Sequence, residues 1–174
     1  IRDYKRSFLR SQIGFVSQDA IIFKGSLREN ISLDAKFNDK LIYECCVATG
    51  FSKIMKKSGL TFESEILESG ANLSSGEKQL LALTRVLLNN PSLLILDEAT
   101  ANIDPAFEKI IHDAVNKLMK NRTCLIIAHR LETISECDRL LVFDKGELVE
   151  SGSPEFLLDK KGVFFGLQQA KNIN

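Results

Sequence analysis

Four short runs dominate the pattern of apolar and polar positions: "SQIGFVSQ" (11–18), "SLLILDEA" (92–99), "TCLIIAH" (123–129) and "RLLVFDKG" (139–146). Each is rich in Ile, Leu and Val and closes on polar or Gly residues, the pattern of strands buried in a parallel sheet. Between the second and third, "PAFEKIIHDAVNKLMKN" places Phe107, Ile110, Ile111, Ala114 and Leu118 on one helical face. Asp104 is the expected N-cap and Pro105 the first helical residue, which makes a β-α-β unit. "ELVESG" after "DKG" predicts a short hairpin, and "SPEFLLDKKGVFFGLQQA" a terminal helical segment.

Residues from about 28 to 73 have a different character. "NDKLIYECCVATGFSKIMKKSG" has mixed helical periodicity, "TFESEILESGAN" is polar and loop-like, and neither reads as a core strand. The expectation is a small helical lobe inserted into an α/β core. Next, "NLSSGEKQLLALTRVLLNNP" carries a helical stripe of Leu80, Leu83, Leu87 and Leu88, with Ser74 and Glu77 forming an S-x-x-E capping box.

Composition narrows the function classes. The 174 residues, 44% hydrophobic, suffice for a substantial core. Twenty-three basic residues balance twenty-three acidic ones, and no basic block, Lys56-Lys57 included, is longer than two residues. No field therefore favours nucleic acid. Cys45, Cys46, Cys124 and Cys137 show no C-x-x-C spacing, so the adjacent pair reads as helix packing rather than zinc ligation, in a reduced, cytosolic setting. No stretch reaches the ~18 apolar residues of a membrane span, and "IRDYKRSFLR" has no signal-peptide core. Any membrane contact is expected to come through another segment or chain.

Two features bear chemistry. Asp97 and Glu98 stand side by side at the end of an apolar strand, an arrangement suited to a divalent metal and a water to be deprotonated, hence to nucleotide hydrolysis. An isolated Asp-Glu pair also reads as the start of a solvated loop. The Ser74 helix reads either as a well-capped core helix or as an anion site, where amides of the Ser75-Gly76 turn and the helix dipole face a phosphate. The sequence contains no G-x-x-x-x-G-K-[ST] phosphate loop.

The order of these pieces resembles the ABC ATPase family, the nucleotide-binding domains of ATP-binding cassette transporters. "LSSGEKQ" looks like the signature motif, "LLILDE" the Walker B strand, "ANID" the D-loop, His129 the switch histidine and Gln18 in "VSQD" the Q-loop. The resemblance covers nearly the whole chain. "IIFKGSLRENI" and "DRLLVFDKGELVESGSPEFLL" are similar to exporter domains of the multidrug-resistance or lipid/peptide-exporting type. "ILESGAN", with Glu68 and Gly70, stands where exporters carry the loop that touches the membrane domain.

That resemblance implies a P-loop NTPase (RecA-like) α/β fold, with residues 1–27 and 86–174 as the core and 28–85 as the helical signature subdomain. It further implies ATP and Mg²⁺ as ligands, Asp97 and Gln18 holding the metal, Glu98 as general base, and His129 contacting the γ-phosphate. Ser74, Ser75, Gly76 and Glu77 would face a partner's nucleotide, and Asp104, besides capping its helix, would lie along the dimer interface. The partners implied are a second nucleotide-binding domain, identical or not, and a transmembrane domain, which places the protein at the cytoplasmic face of a membrane.

The signature departs from the family at Ser75, where Gly is usual, and more mildly at Glu77 in place of Gln. A Cβ at position 75 is expected to hinder a positive φ and weaken phosphate contact. The family's phosphate loop lies upstream of the Q-loop, so the chain resembles the C-terminal two-thirds of a domain, and alone is expected to be inactive. One alternative is a non-catalytic fragment or degenerate partner. Another is a chromosome-maintenance or DNA-repair ATPase head, but those insert a long coiled coil, and here Gln18 and Leu73 are 55 positions apart without heptads.

Overall fold

Three of the four apolar runs pair in one parallel sheet. In the computed structural model, which describes residues 3–33, 36–97, 105–127 and 137–171, β1 (Ile13–Val16), β4 (Leu93–Asp97) and β5 (Thr123–Ile127) lie in the order β1-β4-β5. Ile13 pairs with Leu93 and Val16 with Leu96, while Leu93 pairs with Thr123 and Asp97 with Ile127. One face is dry, built on Val16, Leu94 and Leu96. On the other, Ile13, Phe15, Leu125 and Ile127 are exposed, so these strands are covered on one side rather than buried on both.

The chain divides into two compact units, Ile1–Ile127 and Ala128–Asn174. In the first, a short helix α1 (Arg6–Ser11) leads into β1. The two-residue strands β2 (Gly25–Ser26) and β3 (Glu65–Ile66) pair antiparallel, so the polar "TFESEILESGAN" segment holds a strand with Ile66 fully buried. Helix α2 (Leu27–Ser32) starts at a capping box of Ser26 and Glu29. Helices α3 (Asp39–Thr49) and α4 (Phe51–Ser58) follow. Cys45 and Cys46 are buried free thiols on α3, and burial pushes the Cys46 thiol up to about 12, as packing residues rather than reactive ones would be.

Helix α5 (Ser75–Asn89) fills the dry side of the sheet with Leu80, Leu81 and Leu83, all fully buried. Each such leucine stabilises the fold by roughly 1.5–3 kcal/mol relative to an exposed one. Helix α6 (Pro105–Met119) begins at Pro105 as its sequence requires and buries Ile111, Ala114, Val115 and Leu118, with Phe107 and Ile110 partly covered. α3, α5, α6 and the sheet share one apolar cluster.

In the second unit the fourth apolar run forms the hairpin that "ELVESG" after "DKG" predicts, rather than the parallel pairing also expected of it. β6 (Leu140–Asp144) pairs antiparallel with β7 (Glu147–Gly152), and Leu141 and Phe143 are exposed. The reason is the two-residue turn Lys145-Gly146, with φ of 50° and 83°, whose twist suits a tight hairpin and turns the chain straight back. Helices α7 (Pro154–Lys160) and α8 (Val163–Lys171) follow, and Val142, Leu157 and Phe164 form a small core. Glu150 is buried on β7, where it accepts the Phe164 amide at 2.9 Å and pairs with Lys160 at 3.3 Å.

Candidate functional site

Parallel pairing brings the ends of β1 and β4 to the same edge of the sheet. Val16 stands opposite Leu96, so Asp97 is one step beyond that pair and Gln18 two residues beyond the end of β1. Gln18 is exposed in a bend and Asp97 half-buried. The carboxyl edge of an open α/β sheet is where such folds bind ligands. Glu98, Asp104 and His129 lie outside the described residues.

Ser74 to Glu77 form the expected cap. The Ser74 side chain accepts the Glu77 amide at 3.3 Å, and the Glu77 carboxylate accepts the Ser74 amide at 2.8 Å and its hydroxyl at 3.0 Å. This leaves the amides of Ser75 and Gly76, which have no partner within the helix, at its positive end. Ser74 and Ser75 are exposed and Gly76 is buried.

The concern over Ser75 dissolves in the geometry. Ser74 takes the extended N-cap conformation (φ −68°, ψ 164°), Ser75 is the first helical residue, and it is not among the residues with positive φ. A serine therefore fits that backbone without strain. What position 76 demands is space: a Cβ there would stand 2.5 Å from Cγ of Phe107 on α6.

Sequence reasoning missed a buried polar cluster behind this edge. Arg85 of α5 is 8% exposed, yet its guanidinium donates to the carbonyls of Ile21 and Asn30 and, at 3.0 Å, to Asn30 Oδ1. Asn30 accepts the Phe23 amide at 3.0 Å and donates to the carbonyls of Phe23 at 2.8 Å and Ser26 at 3.1 Å. Gln79, also on α5, donates to the Ser17 carbonyl at 3.4 Å. Burial pushes the Arg85 guanidinium down to about 10. The available signal was an arginine within the leucine-rich "LLALTRVLL", where a charge is costly unless its donors are matched.

Sheet, capped helix and strand-end acid define an α/β domain of the P-loop NTPase fold. The family model described as "ABC transporter" matches residues 1–101, and the chain belongs to that family. It is similar to "Multidrug resistance protein 1" of Entamoeba histolytica, 40% identical over 99% of this chain and 14% of the relative. A "putative multidrug export ATP-binding/permease protein" of Staphylococcus aureus is 38% identical over 99% of this chain and 30% of that protein. Among solved structures, a bacterial Atm1-family ABC exporter with ATP bound matches with a TM-score of 0.88 and 31% identity, over 98% of this chain and 30% of that one. The chain thus spans less than a third of these relatives. Among the described residues, no helix is long and apolar enough to cross a membrane.

Proposed function

We propose that this chain is part of the ATP-hydrolysing domain of an ABC exporter, driving transport through nucleotide-dependent pairing with a second such domain. The observation that carries the reading is the common edge of the adjacent parallel strands β1 and β4, where Gln18 follows two residues after the end of β1 and Asp97 is the last residue of β4. The names of the relatives support export as the process served.

The donor set at that edge fits a hard divalent cation: a half-buried carboxylate and the amide oxygen of an exposed glutamine. Asp97 would hold Mg²⁺, directly or through water, with Gln18 as a further oxygen donor. When bound, the ion neutralises charge on the β- and γ-phosphates. Glu98, next to Asp97 in sequence, takes the proton of the attacking water. His129 contacts the γ-phosphate. Ser74, Ser75 and Gly76, at the positive end of α5, face the triphosphate held by the partner domain, with Glu77 fixing their turn. Asp104 lies along the interface between the two domains.

In this reading residues 28–85 form the helical subdomain and 1–27 with 86–174 belong to the core. The domain docks on transmembrane helices at the cytoplasmic face of a membrane. The 174 residues contain no phosphate-loop motif, so by themselves they do not turn over ATP.

The test is Glu98→Gln in the full-length protein. ATP turnover is expected to fall on the order of 10²–10⁴-fold while ATP binding is retained. Turnover within a few-fold of wild type removes Glu98 from the role of base.

A further inference from the structure

We propose that Arg85 is a positioning residue that ties the Gln18 segment to α5, so that Gln18 and the Ser74–Gly76 end of that helix move as one piece. The proposal rests on the reading of Gln18 as a nucleotide contact.

Main-chain carbonyls on both sides of Gln18 are held by side chains of a single helix. Gln79 takes the Ser17 carbonyl, one residue before Gln18, and Arg85 takes the Ile21 carbonyl, three residues after it. Arg85 also reaches the carbonyl and the side chain of Asn30, and Asn30 in turn closes a reciprocal pair with the backbone of Phe23. The Arg85 guanidinium sits 5.8 Å from the Phe23 ring centroid. The stretch from Ser17 to Phe23 is therefore fastened at three places to a scaffold of α5 and α2.

A buried charge needs a reason. Among the described residues Arg85 meets no carboxylate, and its donors end on Ile21 and Asn30. Leaving a guanidinium in the interior is expensive, and an apolar side chain of similar size would fill the space at less cost. What an apolar side chain cannot do is grip acceptors from two different segments. A planar fork of five donors does so, and a lysine's point charge does so poorly. The arrangement fixes the Gln18 segment to the signature helix at the cost of burying a cation.

The test is steady-state Mg-ATP turnover of the full-length protein as wild type, Arg85→Lys, Gln18→Ala and the double variant, with thermal denaturation of each. Arg85→Lys is expected to lower kcat about tenfold with KM for ATP within about twofold, as loss of positioning does. In the Gln18→Ala background the same change is expected to cost less than about twofold, because the group it positions is already gone. Arg85→Lys turning over within twofold of wild type overturns the proposal, as does an undiminished tenfold loss in the Gln18→Ala background. If Arg85→Lys does not fold, Arg85→Gln, which removes the buried charge, takes its place. Failure of both to fold assigns Arg85 a purely structural role and overturns the proposal. Gln18→Ala at the wild-type rate overturns the nucleotide reading beneath it, and is recognisable as that failure because Arg85 is untouched.

Discussion

Gly76 and Phe107 are in such close contact that no side chain fits between them: a Cβ on Gly76 would lie 2.5 Å from Cγ and 2.8 Å from Cβ of Phe107. The glycine at the start of α5 thus sets how closely that helix approaches α6. Gly76→Ala is expected to destabilise the domain by about 1–3 kcal/mol through overpacking. Urea denaturation of the domain, reading the midpoint at unchanged m-value, checks it. A midpoint equal to wild type means that Phe107 yields freely and that Gly76 has no packing role.

Thr49 on α3 and Thr84 on α5 meet as buried hydroxyls 2.8 Å apart. Each also has an i−4 carbonyl within reach, Cys45 for Thr49 at 3.0 Å and Leu80 for Thr84 at 2.7 Å. Thr84→Val keeps the shape and leaves Thr49 a carbonyl partner, so its cost should be confined to one hydrogen bond, about 1 kcal/mol. Thr84→Ala adds a cavity and should cost more. Equal stabilities of the two variants in chemical denaturation would contradict this ordering.

Glu150 makes the second unit sensitive to acid. Its carboxyl is held below the ordinary carboxylate range, first by the Phe164 amide and then by Lys160, against the opposing effect of burial. A depressed folded-state pKa contributes stability that is fully present above the unfolded value and lost as pH falls through the folded one. Thermal stability of this unit should therefore drop on acidification below the usual glutamate range, and Glu150→Gln should flatten that dependence. An unchanged pH profile in Glu150→Gln counts against the assignment. Gly162→Ala should have a related effect, because its Cβ would collide with Glu150 Oε1.

The elements were legible in the sequence wherever one periodicity governed many residues. The stripe of Ile111, Ala114 and Leu118, the Ser74–Glu77 box and Pro105 at a helix start are local signals, and the structure has each where its pattern puts it. The hairpin of "RLLVFDKG" with "ELVESG" was legible from the "DKG" turn between them and stands as β6 and β7, whereas the parallel pairing also expected of that run does not form, because an apolar run by itself does not say which strand it meets. Arg85 was missed because its acceptors are main-chain carbonyls, which have no letter in a sequence. Of the proposed site, Gln18, Asp97 and Ser74 to Glu77 are placed by the described residues, while Glu98, Asp104 and His129 lie outside them.

The register between β1 and β4 works as a ruler. Because Val16 is matched to Leu96 by main-chain hydrogen bonds, the offset between Gln18 and Asp97 is counted in residues rather than set by any side chain. Exchanging one apolar residue of these strands for another leaves that count intact. Adding or deleting a single residue between Leu93 and Asp97 slides the acid by about 3.3 Å and turns it to the opposite face of the sheet. The site should therefore tolerate many spellings of "LLILD", but only one length.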